Sequence, residues 1–245
     1  MAVVGGPVGT PGHTEFDGAF TERWLRRFAA SAAAVERELT ELDQQVGDGD
    51  FGTNLCTGLG AVVAALDRLP AGPTAAATPL GAAATAFLDD VGGTSGPLFG
   101  LVFQELAAAA AAAGPVLDAP GLAAGAAAAL AAVQRVGEAE PGDKTLVDAL
   151  APAVREIQRC LADSRPDQVL LAAADGAWEG VRNTAMLRAR RGRASYLGER
   201  ASGIADPGAV GVGLLFTSAG REVTVLAPLL SGPDPESTDR RRPAP

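Results

Sequence analysis

Residues 42–54 read Leu-Asp-Gln-Gln-Val-Gly-Asp-Gly-Asp-Phe-Gly-Thr-Asn, and no other stretch restricts the chain as tightly. Three carboxylates, Asp43, Asp48 and Asp50, fall where an apolar-periodic helix gives way to glycines. Like charges this close repel one another unless a cation sits among them. Hard oxygen donors on a short glycine-hinged loop suit Mg2+. Gly47, Gly49 and Gly52 permit backbone angles closed to other residues, and Thr53 with Asn54 opens the next helix, so backbone N–H groups face the same cluster. A metal beside a helix N-terminus points to phosphate. The same string also fits a solvated, capped turn. A calcium loop of the Asp-x-Asp type needs a bidentate Glu further on, and no Glu follows Asp50 before Glu105.

The helix leading into this loop keeps apolar residues near helical spacing from Phe16 through Trp24, Phe28, Val35 and Leu39. Further helices are predicted over residues 53–69, 79–91, 94–113, 118–136, 145–161, 166–189 and 207–219, and residues 223–230 read as helical or extended. Alanine runs at residues 107–113 and 126–129, in a chain 47% hydrophobic but only 4% aromatic, favour closely packed helices. Gly114, Pro115, Asp118 and Pro120 interrupt those runs and argue against a membrane span. No βαβ alternation and no Walker-type loop occurs. The expectation is an all-α domain over residues 16–230, with mobile or disordered tails at 1–15 and 231–245.

A net charge of -9 over 245 residues argues against general nucleic-acid binding, so the basic run at 188–193 needs a local explanation. Cys56 and Cys160 have no metal spacing and read as free thiols in a reducing compartment. The first fourteen residues lack the basic and apolar regions of a signal peptide, which together with the cysteines gives a cytoplasmic protein. If eight helices run up and down, the connections after the first, third, fifth and seventh share one end. Those connections are residues 43–54, 92–96, 137–145 and 190–208, and they hold every chemically suggestive string.

Four strings together resemble the nucleotide-binding L subunit of dihydroxyacetone kinase. They are residues 42–50, Gly-Gly-Thr-Ser-Gly-Pro-Leu-Phe-Gly at 92–100, Ala-Glu-Pro-Gly-Asp-Lys-Thr at 139–145, and residues 192–200 through Asp206-Pro207-Gly208. The resemblance covers about residues 16–220 and implies an antiparallel up-and-down eight-helix barrel with a nucleotide site on one rim. It implies that Asp43, Asp48 and Asp50 hold two Mg2+ ions, and that Phe51, Gly52, Thr53, Asn54, Thr94 and Ser95 cradle phosphate. Gly137, Thr145 and Leu146 would border the nucleoside, Arg193 would reach phosphate or ribose, and Asp206, Pro207 and Gly208 would close a lid. The three aspartates and Arg193 form the implied catalytic set. Lys144 reads equally as a surface residue at a helix N-terminus and stays outside it.

The implied activity is that of an Mg-ATP/ADP subunit of a short-ketose kinase, active only with a K subunit that holds the substrate. A phosphotransferase-system M subunit as donor, and a homodimer, stay open. The only histidine is His13, in the N-terminal tail, so the chain looks like half an enzyme. Phe51 and Ile204 stand where L subunits commonly carry histidine, which leaves open whether ATP exchanges or ADP is retained. Two other readings share the Asp-Gly-Asp string: the related domain of fatty-acid kinases, and a regulatory nucleotide-binding module without catalysis.

Overall fold

The computed structural model describes residues 16–90, 95–160, 166–196 and 201–232. Residues 1–15 and 233–245 of the expected tails, and Thr94 among the expected site residues, lie outside them, whereas Ser231 ends a helix. Ten α-helices occur among the described residues, and the one extended pairing is an isolated antiparallel bridge between Phe16 and Leu117. They are α1 (Gly18–Ala34), α2 (Glu36–Val46), α3 (Phe51–Leu66), α4 (Ala77–Asp90), α5 (Ser95–Ala113), α6 (Ala119–Gly137), α7 (Val147–Arg159), α8 (Pro166–Thr184), α9 (Pro207–Thr217) and α10 (Ala227–Ser231). The chain is all-α, as expected.

The long first helix is in fact two. It breaks at Val35, whose φ of -113° and ψ of 14° leave the helical region. Just before the break, the Ser31 hydroxyl pairs with the Ser218 hydroxyl and accepts from the Val223 N–H. Just after it, Glu38 accepts from the Leu226 N–H. The segment following α9 therefore grips both sides of the bend, and α2 sets off in a new direction. Helix α3 starts two residues earlier than expected and ends at Leu66, where Asp67, Arg68 and Leu69 continue as turns. Helix α8 stops at Thr184, five residues short of the expected end. Of residues 223–230, the first four are not helical and the last four belong to α10.

Each helix from α3 to α9 packs on the next, and α9 also touches α1, α2 and α3, so the order of neighbours closes on itself. Counting α1 and α2 as one bent stave gives eight staves. Helix α9 is apolar on every face, and Pro207 and all of Ala209 to Thr217 are buried, as befits the stave that shuts the ring. Its contacts with the first stave are specific: Trp24 Nε1 donates to the Leu215 carbonyl at 2.7 Å, and Arg27 donates to the carbonyls of Ala219 and Gly220. Between α7 and α8 the backbones nearly touch. A Cβ on Gly180 would stand 2.1 Å from the Asp148 carbonyl oxygen, so glycine alone permits that approach.

Side chains fill the interior. Phe28, Phe87, Phe99 and Phe103 are at most 1% exposed and form a ring cluster with centroids 5.5–6.5 Å apart. They belong to one hydrophobic core that draws on α1 through α9. Helices α5 and α6 are long and apolar enough to cross a membrane by length and composition, and here they pack against each other as staves. A second, small apolar cluster stands apart from the main core: Val46, Ala189, Ala194 and Ala201, with Ile204 against it. It lies under the segment that follows α8.

Candidate functional site

The connections after α2, α6 and α8, with the start of α5, converge on one cleft of about 200 Å3. The up-and-down reading of the sequence placed residues 43–54, 92–96, 137–145 and 190–208 at a common end, and the cleft draws residues from all four stretches. Its polar side carries Asp43, Asp48, Asp50 and Arg193; its apolar side carries Leu98, Val133 and Leu146. Asn54, Ser95, Gly137, Thr145, Asp206, Pro207 and Gly208 also line it.

The acidic cluster is built from the end of α2. Asp43, in its last turn, is 8% exposed and accepts the Phe51 N–H at 3.1 Å. A Cβ on Gly47 would fall 2.3 Å from Asp43 Oδ1, so any side chain there would push this carboxylate out of its place in the cluster. Gly49 turns the chain with φ +80°, bringing Asp48 and Asp50 back toward Asp43. One oxygen from each of the three lies within 4.8 Å of the others, a spacing at which hard carboxylate donors fit a divalent cation. Asp48 and Asp50 are open to solvent, and the Arg193 guanidinium pairs with both, at 3.4 Å from Asp50. The lid arginine thus stands beside the cluster expected to hold metal.

The start of α3 needs a correction. Asp43 already takes the Phe51 N–H, and Asp50 takes the Asn54 N–H. Among the described residues nothing accepts from the N–H groups of Gly52 and Thr53, which leaves those two for an anion. The Thr53 side chain turns away to Glu36, and Gly52 packs against Thr40 on α2. The Phe51 side chain points inward: it is 5% exposed, and Gly211 on α9 makes room for its ring and that of Phe99. Ile204, at the other histidine-deficient position, packs on the small cluster under the rim. Phe51 thus ties the rim to the main core, and Ile204 ties it only to the small cluster. The Cys56 thiol further along α3 is pushed up to about 12 by burial and by Glu36, which makes it a poor nucleophile.

Residues 138–146 are fixed by one carboxylate that the sequence reading passed over. Asp148 Oδ1 accepts the Gly142 N–H at 2.6 Å, and Oδ2 accepts the Thr145 N–H at 2.9 Å. Thr145 Oγ1 in turn accepts from the Val147 N–H. Thr145-Leu-Val-Asp148 has capping-box spacing, a signal present in the sequence. Asp143 is also buried; it accepts the Glu140 N–H and faces Arg190 and Arg191, which accounts for two members of the basic run.

Lys144 is the largest departure from expectation. It is 1% exposed and adopts φ +62°. Its Nζ donates to the carbonyls of Thr184, Ala201 and Ile204 at 2.9, 2.7 and 2.6 Å. Capture of the Thr184 carbonyl also explains why α8 ends there. Burial pulls the ammonium below its ordinary pKa, and Asp206 opposes that pull.

Asp206 caps α9, its Oδ2 accepting from the Ala209 N–H at 2.8 Å, while its own N–H donates to Thr184 Oγ1. Burial pushes its carboxyl up to about 7, the Ala209 N–H and Lys144 working against the rise and Asp148 and Asp43 adding to it. With a folded value above that of the unfolded chain, this group favours the folded state most below about pH 4, and that contribution is lost as pH rises through 7. Asn caps a helix as well as Asp. Asp206→Asn is therefore expected to raise the melting temperature at pH 8 by ~2 °C or more, in EDTA, with the gap closing toward pH 4. A gap of the same size at both pH values would contradict the raised pKa.

The DAK2 domain family matches residues 45–220. The chain belongs to that family. The ADP-binding subunit DhaL of PEP-dependent dihydroxyacetone kinase 1 from Listeria innocua is 34% identical over 202 residues, covering 82% of this chain and 94% of that protein. L-erythrulose 1-kinase from Mycolicibacterium smegmatis is 37% identical over 206 residues, covering 82% of this chain but 35% of that protein. The crystal structure of the dihydroxyacetone kinase from C. freundii in complex with AMP-PNP and Mg2+ matches with a TM-score of 0.63 at 25% identity, over 89% of this chain and 36% of that one. The chain therefore spans about a third of the erythrulose and C. freundii kinases and nearly the whole of the Listeria subunit. The DAK2 match takes in all four rim loops except the start of the first, where Asp43 stands.

Proposed function

We propose that this chain is the nucleotide-binding, phosphoryl-transferring L subunit of a cytoplasmic dihydroxyacetone or related short-ketose kinase. The observation that carries the reading is the convergence of a three-carboxylate cluster, with its oxygens within 4.8 Å, and an apolar wall in one rim cleft. Asp43, Asp48 and Asp50 would hold two Mg2+ ions, which when bound neutralise the charge on the phosphate oxygens of ATP or ADP. The N–H groups of Gly52 and Thr53, with Ser95 and Thr94, bind phosphate oxygens that the carboxylates alone would repel. Leu98, Val133 and Leu146 give the nucleobase an apolar face beside Gly137, where no side chain intrudes. Arg193 places a guanidinium over the same cluster and stabilises charge on the phosphate in transit. Asp206, Pro207 and Gly208 complete the cleft beside Leu146, and Asp206 holds the N-terminus of α9 in place.

Phosphoryl transfer needs positioning and charge neutralisation more than a protein nucleophile, and the cleft supplies both. The acceptor hydroxyl needs a holder, which we assign to a separate K-type subunit. The Listeria relative is named as PEP-dependent and ADP-binding, the mycobacterial one as an erythrulose kinase. The phosphate donor is thus either free ATP or a phosphoprotein such as an M subunit acting on retained ADP.

The test is turnover of dihydroxyacetone and of erythrulose, followed by phosphorus NMR, with Mg-ATP or a phosphorylated M subunit as donor, for the chain alone and with a K-type subunit. No product from the chain alone and product with the partner is expected. Turnover without a partner would refute the half-enzyme reading. Absence of nucleotide binding by calorimetry would remove the kinase assignment altogether.

A further inference from the structure

Lys144 combines two unfavourable choices in one residue. A lysine that is 1% exposed gives up nearly all of its hydration, and a non-glycine residue at φ +62° sits in the left-handed region. Both are offset at the tip, where three carbonyl oxygens surround Nζ within 2.9 Å. The origin of those carbonyls is the informative part. Thr184 ends α8, where the chain leaves the barrel; Ala201 and Ile204 belong to the stretch that brings it back to α9. One ammonium from the α6–α7 loop thereby ties both ends of the rim segment that carries Arg193.

The other ties are weak by comparison. The segment rests on Val46 through three alanines and Ile204, a cluster separate from the main core and poor in apolar area. Gly203 donates its N–H to the Ala185 carbonyl, Asp206 to the Thr184 hydroxyl, and Arg190 to the Asp143 carbonyl. Arg190 and Arg191 add solvent-exposed ion pairs to Asp143, but each of these ties joins two groups, whereas the ammonium gathers three carbonyls at once.

We propose that Lys144 is a positioning residue: its buried ammonium pins the two ends of the rim segment together and so holds Arg193 over Asp48 and Asp50. The pin itself is a property of the nucleotide-free protein; its consequence for nucleotide residence rests on the function proposed above.

The full chain in EDTA at 25 °C is digested with trypsin, and cleavage after Arg188, Arg190, Arg191 and Arg193, all exposed, is followed by mass spectrometry. In Lys144→Met, cleavage at these bonds is expected to rise ~10-fold or more while bonds inside the helices, such as that after Arg155, stay protected. Mg-ADP should leave the same variant ~10-fold faster by stopped flow, with its association rate little changed. Should Lys144→Met fail to fold, Lys144→Gln keeps two donors for the three carbonyls but no ammonium, and a smaller rise confined to the same bonds is expected. Unchanged rim cleavage in the folded variant, or a rise spread evenly over the chain, would each overturn the pin. If the wild type binds no nucleotide but the cleavage pattern behaves as expected, the pin stands and the kinase reading falls.

Discussion

Asp48→Ala is expected to weaken Mg2+-dependent ADP binding by ~100-fold or more, about 2.7 kcal/mol, measured by calorimetric titration with and without Mg2+. Asp48 is the choice because it makes no structural hydrogen bond among the described residues; its one partner is Arg193. Asp43, by contrast, accepts the Phe51 N–H, and its removal would strand a buried donor and blur the result. In the metal-free protein, Asp48→Ala relieves repulsion within the cluster but also costs Arg193 a partner, so its melting temperature should move little. A capped turn with no ligand predicts the same small change in stability and no change in Mg2+ response. Equal ADP affinity for the variant and the wild type would therefore sink the metal site while leaving the fold untouched.

Phe103→Ala carries the second large effect, on stability. Phe103 is fully buried, and its ring centroid lies 5.5 Å from that of Phe87 and 6.5 Å from that of Phe28. Truncation removes the ring and leaves a cavity among staves that cannot all move in, at a cost of about 3–5 kcal/mol. Against a total of roughly 5–15 kcal/mol this would shift the urea midpoint sharply with little change in slope. Leu171→Ala, at a side chain 59% exposed, serves as control and should change stability by less than about 0.5 kcal/mol. A loss below about 1 kcal/mol for Phe103→Ala would mean that the rings do not close-pack the interior, the outcome expected if a lipid filled it instead.

The gathering of the four rim loops was legible without coordinates, because helix count and short turns dictate which connections share an end. Asp43, Asp48 and Asp50 stand out from their own string, whereas Leu146, Arg193 and Asp206 come from the resemblance to the L-subunit family. The break at Val35 could not. Val35 and Leu39 keep the apolar spacing of one helix, and the bend comes from Ser218, Val223 and Leu226, nearly two hundred residues later in the chain. The role of Lys144 was hidden for a related reason: after Gly-Asp at a helix start it reads equally as a surface residue or a ligand, and the carbonyls that bury it lie 40 to 60 positions downstream. Asp148 was within reach, since its capping-box spacing is local. Residues 51–54 were named as a group, but the Phe51 and Asn54 N–H groups are already bonded, and which of the four remain free depends on where the Asp43 carboxylate points.

The all-buried ninth helix also bears on how the chain is made. Contacts between neighbouring staves are local and can form as each helical hairpin emerges from the ribosome. The seam of the ring is different: the bond from Trp24 to the Leu215 carbonyl spans 191 positions, and that between Ser31 and Ser218 spans 187. A nascent chain that stops short of Pro207 has seven staves and a gap along the first, third and eighth helices, where buried apolar side chains face water. Ring closure is then the high-contact-order step that sets the folding rate, and the interval before it is when the polypeptide is most prone to self-association.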